Sequence, residues 1–199
     1  CDEARRRSDE QGLTFIHPFD DDAVIAGQGT LGLELLEQVP EVEAVVTAIG
    51  GGGLISGMAC ALKEINPQIR VIGVQTSRLP SMQAAVAEKR PVTLPVSSTI
   101  ADGIAVRRAG DRTLPMVQKY VDEIVTVEEE EIASAILLLL EREKTLAEGA
   151  GAAALAALIH HKAPCAGRKV AAIVSGGNID VSILSRIIES GKYPQIPDR

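Results

Sequence analysis

The sequence has no tryptophan and only two tyrosines and two phenylalanines among its 199 residues. A core built on aromatic anchors is therefore excluded, and Ala, Val, Ile and Leu must fill it. With 46% hydrophobic residues there is enough aliphatic material for a sizeable core. That bias suits a parallel sheet covered by helices on both faces. Cysteine is scarce as well. Cys1, Cys60 and Cys165 are scattered and odd in number, which argues against a disulfide framework and for reduced thiols and a cytoplasmic location. Net positive charge is missing too. A formal charge of -7 disfavours nucleic acid as a partner, because phosphate backbones require a cationic face. The clusters Arg5-Arg6-Arg7 and Arg107-Arg108 read as solvated faces. No apolar run is long enough to span a bilayer, and no signal peptide is visible. The most apolar stretch, "AILLLLE" from Ala135 to Glu141, is expected to be a buried helix.

What the sequence does have is alternation. "DEARRRSDEQG" reads as the end of a polar helix stopped at Gly12, and "LTFIH" as a short strand. "DDDAVIAGQGTLGLELLEQV" reads as a helix capped by Asp20, Asp21 or Asp22. "EAVVTAI", "RVIGVQT", "DEIVTV" and "KVAAIVS" read as strands. Between them lie helical patterns over "LISGMACALKEI", "SMQAAVAEK", "TLPMVQKYV", "EEEEIASAILLLLEREK", "AGAAALAALIHHK" and "DVSILSRIIESGK", the last ended by Gly191. Strands separated by helices imply right-handed crossovers and an α/β fold of three layers, with a mostly parallel sheet. A long connection from Arg90 to Thr113, with two prolines and two glycines, Gly103 and Gly110, is of a length that often carries function.

Four consecutive glycines, Gly50 to Gly53, fall at the carboxyl end of one strand and immediately before a helix. Open α/β sheets bind ligands at that edge. A glycine run lets amides turn toward a common point, and the following helix adds the positive end of its dipole, so the pair favours a phosphate dianion. A P-loop is excluded, since Leu54-Ile55 stand where Lys and Ser or Thr are required. A dinucleotide fold is poorly matched: Ser56 occupies the third glycine position and Gln75 the place of the ribose-binding carboxylate. A second glycine motif, "AAIVSGGNID", again follows a strand. There Ser175 is free to donate to a ring nitrogen, or Asn178 caps the next helix; spacing alone leaves both open.

The two glycine motifs together resemble the fold-type-II pyridoxal-phosphate enzymes, and more narrowly the threonine dehydratase and serine racemase branch. Six motifs follow family order: "FIHPFDD" with "VIAGQGTLGLELLEQ", "GGGGLISG", "STIADGIAV", "VTVEEEEI", "AEGAGAAALAAL" and "VSGGNID". The resemblance implies that Gly50, Gly51, Gly52, Gly53 and Leu54 hold the phosphate of pyridoxal 5'-phosphate through backbone N–H groups. It implies that Ser175 bonds the pyridine nitrogen, and that Gly103 and Glu148 line the cofactor pocket. For Glu148 a helix N-terminal charge is the competing reading. The implied reaction is β-elimination of threonine or serine to a 2-oxo acid and ammonia, with homo-oligomers common in the family.

Departures from the family pattern carry their own expectations. The lysine-bearing Ser-Phe-Lys segment is absent, and so is the Ser-x-Gly-Asn-His-type substrate loop. Seven lysines are present, and each reads as solvated surface. The expectation is therefore a carboxyl-terminal portion, a little over half of the enzyme, with no catalytic lysine and no turnover by itself. Residues 1–12 read as the edge of the small domain, 13–192 as the large cofactor-binding domain and 193–199 as a tail. The missing amino-terminal segment is then an expected partner. Gln75 stands where serine racemase-like members have a glutamate that helps bind a divalent cation, so no metal is expected and dehydratase is favoured over racemase. A non-catalytic phosphate-ligand domain and a nicotinamide-dependent oxidoreductase remain as alternatives. His160, His161 and Cys165 read as a helix end, not a zinc site, and His17 as either a loop histidine or a residue at the site mouth.

Overall fold

The computed structural model describes residues 2–190; Cys1, the expected tail and the Gly191 helix stop lie outside the described residues. Strand β1 (Ala44–Ala48) pairs in parallel with β2 (Arg70–Thr76) on one side and β4 (Val170–Ala172) on the other. Strand β3 (Glu123–Val127) extends the sheet beyond β2, giving the order β3-β2-β1-β4. Every connection contains helix, which is what returns the chain to the same end of the sheet and keeps the strands parallel.

The central strand β1 is buried at all five positions, as a strand covered on both faces must be. Its side chains alternate between the faces. Ala44, Val46 and Ala48 join Ile72 and Val74 beneath α6 (Glu129–Leu138) and α7 (Gly149–Ile159). Val45 and Ile49 join Val71 beneath α3 (Gly53–Ile65), α4 (Ser81–Glu88) and α5 (Thr113–Tyr120). Helix α7 is so rich in alanine that it lies close against the sheet, with Ala152, Ala153, Ala154, Ala156 and Ala157 all buried. Helix α8 (Val181–Ser190) adds Ile183, Leu184 and Ile187 to that layer. Helix α2 (Asp22–Gln38) forms an outer layer on α3, where Gly29 and Gly32 allow a close approach. A Cβ on Gly32 would lie 3.0 Å from the Met58 carbonyl oxygen, and one on Gly57 would lie 2.7 Å from the Gly29 amide. Helix α1 (Asp2–Gln11) is polar, with Arg6 paired to Glu3 and Glu10, and ends before Gly12 at φ 64°.

Several expected elements differ. "LTFIH" is not a strand. Leu13 and Ile16 are 57% and 69% exposed, and among the described residues no strand runs beside them. The chain turns instead at His17, whose Nδ1 accepts from the amides of Phe19 (3.3 Å) and Asp20 (2.8 Å). The acidic helix runs from Glu129 as its pattern predicts, but its last turn over Leu139–Glu143 is a π turn, ended by Lys144 at φ 55°. Strand β4 spans only Val170–Ala172, paired with Ala44, Val45 and Val46 of β1. Among the three aspartates, Asp21 caps α2 by accepting from Ala23 and Val24. Asp20 serves a different helix: its carboxylate accepts from the amides of Asp111, Arg112 and Thr113 at the start of α5. Asn178 does not cap α8; its amide donates to the Glu148 carboxylate at 3.0 Å.

Candidate functional site

All strands are parallel, so their carboxyl ends share one edge. The chain leaves β1 toward β2 and β3, then crosses back to place β4 on the other side of β1. The loops after β1 and β4 therefore diverge at a topological switch point, where open α/β sheets have a crevice. A cavity of about 400 Å³ lies there. Its walls include Gly50, Gly51, Gly52, Gly53, Leu54, Gly103, Glu148 and Ser175, the eight residues singled out in the sequence. Three separate loops and the starts of α3 and α7 deliver them.

The glycine loop is anchored through its carbonyls. Gly51 O accepts from the Thr113 hydroxyl at 2.6 Å and the Gly110 amide at 3.3 Å, and Gly52 O accepts from Ser56 N at 3.0 Å. Its amides are different: among the described residues no protein group accepts from the N–H groups of Gly50 to Leu54. Helix α3 also begins without a side-chain cap and without an acidic residue in its first turn. Unsatisfied helix-start amides are an anion site by their nature. The glycines are sterically required. Gly52 adopts φ 101°, and a Cβ there would lie 2.6 Å from Met82 Cε and 2.8 Å from Thr113 Cβ. A Cβ on Gly51 would enter the Phe19 ring, and one on Gly53 would lie 2.9 Å from Phe19 Cβ. These amides, free and clustered at a helix start along the cavity wall, fit a phosphate group.

Glu148 stands at the start of α7, but its carboxylate does not cap that helix. It accepts from Asn178 N and lies where a Cβ on Gly103 would come within 3.3 Å of Oε1. Glycine at 103 therefore keeps the carboxylate side of the cavity open. Gly103 belongs to a 3-10 turn, Asp102–Ile104, held in place by Glu129. The Glu129 carboxylate accepts from the Thr99 hydroxyl at 2.6 Å and the Ile100 amide at 2.7 Å. Ser175 is exposed at the cavity wall, and among the described residues nothing pairs with its hydroxyl.

Residues the sequence reading passed over include Phe19, which covers the glycine loop, and Gln28, the polar side chain that α2 brings to the cavity. The close α2–α3 packing puts it there, and no local motif marks it. His17 does not line the cavity; its ring accepts within its own turn. His160 Nε2 pairs with the Ser134 hydroxyl at 2.7 Å, which ties α7 to α6. Burial pushes the Cys165 thiol up from its ordinary pKa. Gln75 is fully buried with both polar ends engaged: Nε2 donates to Ile49 O and Oε1 accepts from Gln83 N. None of the six described lysines lines the cavity.

The pyridoxal-phosphate dependent enzyme family matches residues 1–176. The chain belongs to that family. The chain is 53% identical over 188 residues to an L-threonine ammonia-lyase of Thermotoga maritima, covering 94% of this chain and 47% of that protein. It thus spans about half the length of the curated relatives it matches. Among solved structures, a T.th. threonine deaminase superposes with TM-score 0.84 at 40% identity, covering 90% of this chain and 62% of that one. A maize serine racemase gives TM-score 0.84 at 38% identity, covering 94% and 58%. The α/β fold with a parallel sheet is the one these family members share.

Proposed function

We propose that the chain is the cofactor-phosphate half of a threonine or serine ammonia-lyase, which eliminates the β-hydroxyl and yields a 2-oxo acid and ammonia. The observation that carries this reading is the cavity itself. Free amides, the Ser175 hydroxyl and the Glu148 carboxylate converge at one switch point, in a chain similar to L-threonine ammonia-lyases.

The amides of Gly50 to Leu54 and the α3 dipole would hold the phosphate dianion without a cationic side chain, since among the described residues no Lys or Arg lines the cavity. Pyridoxal phosphate, when bound, supplies an electron sink for charge developing at the substrate α-carbon. Ser175 would donate a hydrogen bond from its hydroxyl to the ring nitrogen. A neutral hydroxyl, unlike a carboxylate, does not favour a protonated ring. Gly103 gives close access on the side where Glu148 stands, and Phe19 shields the glycine loop from water.

The chain contributes no catalytic lysine in this reading, so the amino-terminal segment of the same enzyme is its necessary partner. Residues 13–192 constitute the large domain and 1–12 the edge of a smaller one, and the full enzyme is a homo-oligomer. Free thiols at Cys60 and Cys165 support a cytoplasmic setting. Among the described residues no helix is long and apolar enough to cross a membrane.

The test is complementation. The chain is combined with the part of the Thermotoga maritima protein that it does not cover, together with pyridoxal phosphate. Ammonia and 2-oxo acid are then assayed from L-threonine and L-serine. Either half alone is expected to be inactive and the pair active. An assembled, cofactor-loaded pair that releases no ammonia from either substrate refutes the proposal.

A further inference from the structure

We infer that two buried side chains outside the cavity wall, Thr113 and Gln75, aim the glycine-loop amides at the phosphate and are positioning residues for that site. The inference rests on the cofactor reading proposed above. Both side chains are fully buried, and neither lines the cavity, so neither touches a bound group.

The argument turns on the peptide plane. In a trans peptide the carbonyl and the following N–H point in opposite directions. Gln75 Nε2 donates to Ile49 O at 3.3 Å, which turns the Gly50 N–H the other way. The Thr113 hydroxyl donates to Gly51 O at 2.6 Å, and the Gly110 amide reinforces it at 3.3 Å. That turns the Gly52 N–H away from Thr113. Glycine peptides rotate at little steric cost. Without these anchors the same planes can present carbonyl oxygen, which repels a dianion. Donors held in place before the ligand arrives need no reorganisation on binding.

The anchors are themselves fixed. Gln75 Oε1 accepts from Gln83 N at 2.9 Å, so its amide cannot flip. The Thr113 amide donates to Asp20 Oδ1 at 3.2 Å, and the Thr113 carbonyl accepts from Ser56 Oγ at 3.4 Å. Asp20 directly follows Phe19, the ring that covers Gly51. One short segment thus closes over the loop and braces the turn that aims it.

Inorganic phosphate is titrated into the wild-type chain, Thr113→Val and Thr113→Ser, and the backbone amide NMR signals are followed. In the wild type the Gly50 to Leu54 amides are expected to shift together along one saturable curve. Valine keeps the shape of threonine and deletes the hydroxyl. Phosphate affinity is expected to fall about ten-fold, the scale of one charge-assisted hydrogen bond, with the Gly52 amide losing most of its shift. Serine restores the hydroxyl and is expected to return affinity to within about two-fold, which a packing role for the lost methyl would not do. Gln75→Leu is expected to diminish the Gly50 shift in the same assay. A Thr113→Val chain with wild-type phosphate affinity and an unchanged Gly52 shift overturns the inference alone, and so does a serine variant as weak as valine. A wild-type chain whose loop amides ignore phosphate overturns the cofactor reading, and this inference with it.

Discussion

Replacing Gly57 by alanine separates helix propensity from tertiary approach, because a second helical glycine supplies the control. Gly27 lies in α2, and a Cβ there meets nothing within 4 Å. Gly27→Ala should therefore stabilise the chain by about 0.5–1 kcal/mol, through propensity and lower unfolded-state entropy. Gly57 lies in α3, and alanine there gains the same local term. Its Cβ, however, would lie 2.7 Å from Gly29 N and 3.0 Å from Gln28 Cβ, and closer still to the Ile25 carbonyl oxygen. Two of these are backbone atoms of α2, so no side-chain rotation relieves the overlap and the helices must separate. Overpacking of this kind costs about 1–3 kcal/mol. With a rigid backbone obstacle the upper end applies, which leaves a net loss of about 2 kcal/mol after the propensity gain. Separation would also move Gln28 and Val24, which α2 places at the cavity. Urea unfolding by circular dichroism measures both variants. The midpoint should fall for Gly57→Ala and rise for Gly27→Ala at unchanged slope. A Gly57→Ala chain as stable as Gly27→Ala would refute the close-approach argument.

Thr47 carries the one buried side-chain polar atom without a hydrogen-bond partner among the described residues. Thr47→Val keeps its shape and removes the orphan, and should raise stability by about 1 kcal/mol in the same urea assay. Asp20 accepts from three amides at the start of α5. Asp20→Ala should cost about 2 kcal/mol and weaken phosphate binding through the displaced Thr113. Cys165 is buried, whereas Cys60 is partly exposed. Burial holds the Cys165 thiol above its ordinary pKa. Its folded-state pKa is raised, so its stabilising contribution is full below the unfolded thiol's pKa and is lost as pH rises toward the folded value. Iodoacetamide should label Cys60 well before Cys165 under mildly alkaline conditions, and denaturation midpoints should decline on the alkaline side. Equal labelling rates would contradict the burial.

Much of the site was legible because its chemistry is local. Gly50 to Gly53 between an apolar run and a helical pattern signal an amide cradle whatever surrounds them. Ser175 is marked by the same strand-then-glycine pattern. The strand–helix alternation likewise determines a parallel sheet, since only helical crossovers return the chain to one end. "LTFIH" misled because alternation shows that a segment is suited to a strand, not that a neighbour exists to pair with it.

Sequence by itself determined the α/β class, the aliphatic core, the family motifs and the identity of eight of the residues that line the cavity. Tertiary structure alone decided that Asp20 caps α5 and not α2, that Glu148 reaches Asn178 and not its own helix, and that Thr113 and Gln75 brace the glycine loop. Each of those bonds joins residues distant in sequence, apart from the Gln75–Gln83 link. The reason is physical: spacing along the chain governs which groups a helix or strand presents. Which distant group meets them depends on how closely the layers pack, and here the small residues of α2, α3 and α7 set that distance.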